Sequence, residues 1–250
     1  MSGHSKWSSI KHKKAAADSK RGAAFTKLAR AITVAARDGG GDPELNAALE
    51  NAIRKAKAGS MPKENIERAI AKGTGEGGDA DAIETVLYEG YGPAGVALLV
   101  QTLTDNRNRT GPEVRNLFTR HGGSLGEPGS VAYLFDKKGV FVVDAERYSE
   151  EDLLVAIEAG AEDISDEGGV FEVVTELADF AAVRRALEEA GVEIESGELV
   201  QRPKSLVPIE HLGQVEKVMR LIDSLEENDD VDAVYANFDA PAEMLEQIAG

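Results

Sequence analysis

The residues most able to do chemistry lie at the front of the chain. Lys6, Lys11, Lys13 and Lys14 can neutralise phosphates, and His4 and His12 can donate hydrogen bonds to them, more strongly when protonated. Trp7, the chain's only tryptophan, offers a face on which a base can stack, worth about 1–3 kcal/mol where it occurs. Residues 1–19 have little apolar content and no clear period, which predicts a segment disordered alone that orders on a partner. The competing reading is a solvated tail whose Trp7 packs on the first domain. Interleaving of cations with an aromatic favours binding.

A second candidate cluster is Thr104-Asp105-Asn106-Arg107-Asn108-Arg109-Thr110. It stands where a strand should give way to a helix. Free N–H groups and the dipole at a helix start attract anions, so Arg107 and Arg109 could extend a phosphate-contacting surface. The alternative is a polar loop whose side chains cap the helix and bond each other, and on local grounds it is the favoured one.

Other chemistries find little support. Cysteine is absent, which removes disulfides, thiolate metal sites and a Cys nucleophile. His4, His12, His121 and His211 are scattered without metal spacing. Ala161–Gly169 resembles part of a calcium loop, through Asp163, Ser165, Glu167 and Gly168, but Val174 stands where a bidentate Glu is needed; it is read as a surface loop. Gly73-Thr74-Gly75-Glu76-Gly77-Gly78 formally matches G-x-G-x-x-G, yet a helix precedes it, a strand follows, and Glu76 would oppose a pyrophosphate. It reads as a linker. No P-loop, nucleophile elbow or kinase set is present, and no carboxylate pair stands out among 45 acids. The expectation is a protein without catalysis, cofactor, metal or small-molecule substrate.

The net charge of −17 conceals a division of sign. Residues 1–37 hold nine Lys/Arg and one acid, Asp18, whereas residues 135–200 hold 19 acidic and five basic residues. An acidic chain is repelled by nucleic acid unless its cations are gathered in one place, as they are here.

The elements that must position these groups follow from periodicity. A helix is predicted from about Ala15 to Arg37, with Phe25, Leu28 and Ile32 on one side. Lys20, Lys27, Arg30 and Arg37 fall about opposite, leaving a basic face free; Arg21 is counted with them as a phosphate contact. Asp42 is predicted to cap a second helix with Pro43 at its first position, burying Leu45, Leu49, Ala52, Ile53 and Ala56. Pro62 opens a third helix with Ile66, Ala69 and Ile70 inward. Lys63, Glu64, Glu67, Arg68 and Lys72 give that helix mixed charge, which argues against a base-reading helix; the tail and first helix would contact backbone instead.

Further on, strands are predicted at Thr85–Glu89, Val96–Thr104 and Val131–Phe135. Between the last two comes a helix with Thr110 and Glu113 in capping-box spacing and Gly122 as its left-handed stop. Next follow a strand at Gly139–Asp144, a helix at Glu150–Ala159 capped by Ser149, a weak strand near Glu162–Ser165, a strand at Val170–Thr175, a helix at Phe180–Ala190 and a strand at Val192–Leu199. That is the β-α-β-β-α-β, ferredoxin-like order. Val207–Ile209, a helix over about His211–Glu227 and a strand at Val231–Phe238 complete the chain.

GHSKWSSIKHKK, FTKL, GGGDPELN, MPKENIERAIAKG, YEGYGPAGVALLV, TDNRNRT, VRNLF, GGSLGEPGSVAYLF and DDVDAVYANF follow one another along the chain. In this order and spacing they resemble the YebC family. The resemblance covers nearly the whole chain. It implies a three-domain, non-enzymatic protein acting in gene expression. Members are described as probable transcriptional regulators that bind DNA, and others, mitochondrial ones included, as translational activators associated with the ribosome. Ala23 and Ala24 stand where the family suggests a further basic residue after Arg21-Gly22.

The expected fold is therefore multidomain α and α+β. Residues 1–79 form a basic tail, a three-helix bundle and a Gly-rich linker. Residues 80–134 and 205–250 form a discontinuous α+β domain, into which an acidic ferredoxin-like α+β domain, 135–204, is inserted. The expected partner is nucleic acid, either ribosomal RNA, as part of the ribosome, or DNA. A flexible tail with no clear reading helix leans slightly toward structured RNA. Apolar runs such as Val96–Val100 are far too short to span a bilayer and the basic front lacks an apolar core, so no membrane or secretory role is expected and a cytoplasmic location is.

Overall fold

The computed structural model describes residues 21–75, 83–167 and 169–249. By compactness the chain divides into residues 135–202 on one hand and the flanking segments, up to 134 and from 203 on, on the other. Among the described residues the fold is mixed: three N-terminal helices, then helices and strands in three sheets.

The N-terminal helices are α1 (Arg21–Gly39), α2 (Ala47–Ala58) and α3 (Lys63–Gly73). Ile32, Leu49, Ala52, Ile53, Ala56 and Ile66 form their core. The apolar periodicity therefore finds these residues, with Leu45 the exception. One start differs from expectation: α2 begins at Ala47, capped by Asn46 rather than Asp42. Asn46 Oδ1 accepts the Leu49 N–H at 3.0 Å. Its amide nitrogen donates to the Ala35 and Gly40 carbonyls at 2.7 and 2.8 Å. One buried side chain thus serves the end of one helix and the start of the next. Asp42 instead folds its carboxylate onto the Glu44 N–H, and Leu45, expected inside, is 85% exposed. At Gly73 a Cβ would collide with the Thr33 carbonyl oxygen, so glycine permits α1 and α3 to approach closely.

The same compact unit continues with β1 (Glu84–Tyr91), β2 (Ala97–Thr104), α4 (Arg107–Arg120) and β3 (Ser124–Leu125). Its late part supplies β8 (Val207–Pro208), α7 (Leu212–Glu226), β9 (Val231–Ala236), β10 (Phe238–Asp239) and α8 (Ala242–Ala249), numbered in chain order with the intervening β4–β7, α5 and α6 given below. The main sheet runs β3-β1-β2-β9, with every pair antiparallel. Leu98, Val100, Val114, Phe118, Met219 and Ile222 belong to its core. Chain order does not reveal that β9, about 130 residues later, pairs with β2 from Leu98↔Ala236 onward.

Two expectations fail here for the same reason: a side chain takes the N–H groups a simpler element would use. The predicted strand Val131–Phe135 is not formed. Glu89, in β1, accepts the N–H groups of Gly129, Val131 and Ala132, each at 2.7 Å, and Ala132–Leu134 winds into a 3₁₀ turn. The Thr110–Glu113 capping box is not formed either. Helix α4 starts four residues earlier, with Asn106 Oδ1 accepting from the Arg109 N–H at 3.1 Å. Gly122 does take the expected left-handed conformation after that helix, at φ 76°.

Residues 135–202 contain β4 (Phe135–Asp144), α5 (Leu154–Glu158), β5 (Ala161–Asp166), β6 (Val170–Thr175), α6 (Phe180–Glu189) and β7, which runs Ile194–Pro203. The helix expected at Glu150–Ala159 is shorter, because Glu151–Leu153 is a 3₁₀ turn. The weak strand expected near Glu162–Ser165 forms as β5, Ala161–Asp166, so most of the stretch compared with a calcium loop is strand rather than surface loop. The sheet order is β5-β6-β4-β7. Phe141 and Phe180 stack at 4.5 Å between ring centroids, with the Arg184 guanidinium 4.8 Å from the Phe180 ring.

Candidate nucleic-acid interface

His4, Lys6, Trp7, Lys11, His12, Lys13, Lys14 and Lys20 lie outside the described residues. Arg21 opens α1, and its side chain is likewise outside them. The remaining candidates can be followed from helix to partner.

The basic side of α1 is a packing side. Lys27 Nζ donates to the Glu226 carbonyl at 2.6 Å. Burial pushes its ammonium below the ordinary lysine range, against the opposing pull of Asp229 and Glu226. Arg30 donates to Asp230 Oδ1 at 2.7 Å and to the Asp229 carbonyl at 3.1 Å. Arg37, at the exposed end, holds Asp38 at 2.9 Å and the Ile83 carbonyl. The expectation of a free basic face therefore fails for Lys27 and Arg30. Their charge is answered by the acidic turn between α7 and β9, which no helical wheel of α1 can reveal.

The loop before α4 behaves as the favoured polar-loop reading anticipates. Thr104 and Thr110 hydroxyls meet at 2.7 Å, and Thr104 Oγ1 accepts the Asn106 N–H at 2.9 Å. Arg109 donates to Asp105 at 3.0 Å and to Asp230 Oδ2 at 2.7 Å. Arg107 turns aside to Glu84, 3.4 Å away, and remains 62% exposed. Arg30 and Arg109 are thus brought together, with a carboxylate between them, while Arg107 is not part of that group.

The residue that organises this arrangement is Asp230. It is 3% exposed and receives Arg30, Arg109 and the Thr110 hydroxyl, the last at 2.7 Å. Its own N–H is taken by Asn228 and its carbonyl by the Leu103 N–H. Burial alone would raise its pKa, but hydrogen bonds from Arg109, Thr110 and Arg30 outweigh burial and hold it below the usual carboxylate value. Sequence reasoning missed Asp230. The only signal was its place in DDVDAVYANF, and its partners lie 120 and 200 residues earlier. No group of His, Asp or Glu among the described residues is arranged to hold a metal ion.

These features define a mixed α and β protein in which the buried Asp230 carboxylate, with the Lys27 and Arg37 hydrogen bonds, ties a helical bundle to an antiparallel sheet. The chain belongs to the TACO1/YebC family: the model of the TACO1/YebC N-terminal domain matches residues 5–76, and that of the second and third domain matches residues 83–238. It is 55% identical over its full length, and the relative's, to a "Probable transcriptional regulatory protein" of Rubrobacter xylanophilus. A protein of the same description from Thermobifida fusca is 53% identical, again over all of both chains. The crystal structure of a conserved hypothetical protein from Aquifex aeolicus aligns with a TM-score of 0.80 at 49% identity, covering 90% of this chain and 92% of that one.

Proposed function

We propose that this protein is a regulator of gene expression that grips the phosphate backbone of DNA with its basic N-terminal segment. The observation that carries the reading is the gathering of nine cations and one acid in residues 1–37 of a chain whose net charge is −17. The descriptions of its relatives as probable transcriptional regulatory proteins support a DNA target over the ribosomal one toward which the sequence leaned. Lys27, Arg30 and Arg109 are engaged within the protein, so the grip narrows to His4, Lys6, Trp7, Lys11, His12, Lys13, Lys14, Lys20 and Arg21; Arg37 and Arg107 also hold acids, Asp38 and Glu84, but at the exposed surface, where they can exchange them for phosphate. Lysine and arginine release counterions from phosphate, which makes binding steeply salt-dependent. The unit 135–202, proposed as an inserted ferredoxin-like domain, is strongly acidic and keeps away from the backbone.

The test is binding to duplex DNA across a salt series, beside sedimentation of lysate through sucrose gradients at low and high salt. DNA binding that weakens with salt, together with absence from ribosomal fractions, is expected. Co-sedimentation with ribosomes and no duplex binding would overturn the DNA target. Replacing Lys11, Lys13 and Lys14 by Glu should weaken binding at least about a hundredfold at low salt; unchanged binding would remove the tail from the account.

A further inference from the structure

A groove of about 420 Å³ lies between α1, α3 and the loop before α4. Phe25, Ala29, Met61, Ala69 and Ile83 give it an apolar floor. Arg30, Arg68 and Lys72 also line it, against one acid, Asp105, which is held by Arg109 at 3.0 Å. The mixed charge of α3 sorts by face. Asn65, Arg68 and Lys72 recur at helical spacing along the groove, whereas Glu64 and Glu67 are not among its lining residues, and Lys63 pairs with Glu67 at 3.5 Å. The side chains of Arg68 and Lys72 have no ion pair or hydrogen bond among the described residues. Arg30 is committed to Asp230, so the two α3 cations are the ones left for a ligand.

We infer that this groove takes one unpaired nucleotide of a single-stranded stretch, the base lying on the apolar floor beside Phe25 and the phosphate on Arg68 and Lys72. Charge complementarity decides the occupant: a cationic lining in so acidic a protein selects an anion, and the floor selects an anion with a flat apolar part. A paired duplex keeps its base faces stacked and offers none to an apolar floor, so the groove distinguishes unpaired from paired nucleic acid. The inference rests on the nucleic-acid reading above and adds to it a second contact, separate from the tail.

The probes are a fluorescein-labelled ten-residue oligothymidylate and a labelled hairpin duplex, measured by anisotropy with the full chain. The double variant R68E/K72E should weaken oligothymidylate binding at least about tenfold and duplex binding less. F25L, which keeps an apolar side chain but removes the ring, should weaken it about tenfold. K63E on the same helix should change either affinity less than about twofold. Circular dichroism establishes that the variants fold. Equal losses in K63E and R68E/K72E, or unchanged oligothymidylate affinity in R68E/K72E, would overturn the groove. So would competition by polyglutamate as effective as by unlabelled oligothymidylate, which points to an acidic peptide instead. If the chain binds neither probe, the functional reading falls as well. If K11E/K13E/K14E loses the duplex while R68E/K72E keeps the single strand, only the groove falls.

Discussion

Asp230 shows how one side chain can reassign others. Arg30 and Arg109 look like phosphate contacts when each is taken with its own helix, and both spend their charge on the same buried carboxylate. Replacing Asp230 by Ala leaves the Arg30 guanidinium, 21% exposed, without its partner. The expected loss is about 3 kcal/mol in urea unfolding, below the full value for a buried pair because Arg109 is 42% exposed and water screens its share. Glu89 is the counterpart under β1. Burial would raise its pKa, but three backbone N–H groups, from Gly129, Val131 and Ala132, win and lower it. E89Q puts an amide N–H against one of those donors and should cost about 1–3 kcal/mol. Both carboxylates titrate lower in the folded than in the unfolded chain. Their contribution is complete above the unfolded pKa, about 4, and is lost as pH falls through the lower folded value. Acid unfolding should therefore steepen below about pH 4, and D230A/E89Q should flatten that limb.

The element scale explains which starts and faces were legible. Helices α1, α2 and α3 follow their apolar periods, since burial of Ile32, Leu49, Ile53 and Ile66 is local to each sequence. The start of α2 was not legible, because Asn46 is chosen as the cap by carbonyls of the neighbouring helix end. N46A should cost about 2 kcal/mol in thermal or urea unfolding, the upper part of the range for caps, because it removes two further bonds. D42A, the change at the cap expected from sequence, should cost less than about 0.5 kcal/mol. The reverse ranking would contradict the observed cap. The basic face of α1 could not be judged from its wheel, because the acids that neutralise it arrive with the turn before β9.

For the whole molecule, the division near residues 135 and 202 has a physical signature at its seam. The Lys204 N–H donates to the Leu134 carbonyl at 2.8 Å, so the chain leaves and returns at neighbouring points. Removing residues 135–202 and joining Leu134 to Pro203 through a short Gly-Ser bridge should leave a cooperative thermal transition with β1, β2 and β9 still paired. Loss of cooperativity, seen by calorimetry, would show that the remaining unit depends on the excised one. The tail is best tested by substitution rather than by cutting at Asp38, because that cut deletes Ile32 and Ala36 from the bundle core.

The three described N-terminal helices, the longer strands of the two main sheets, most of their apolar core residues, and the separation of positive from negative sequence were readable from the chain itself, because each depends on neighbours a few residues away; β3, β10, α8, the 3₁₀ turn at Ala132–Leu134 and the exposure of Leu45 were not. What Arg30, Arg109 and Glu89 do, where α2 begins, and which cations of α3 share a groove were decided by folding alone. Those outcomes turn on carboxylates, carbonyls and N–H groups from segments far apart in the chain, and a charge or a donor acts through whatever lies within about 3 Å of it.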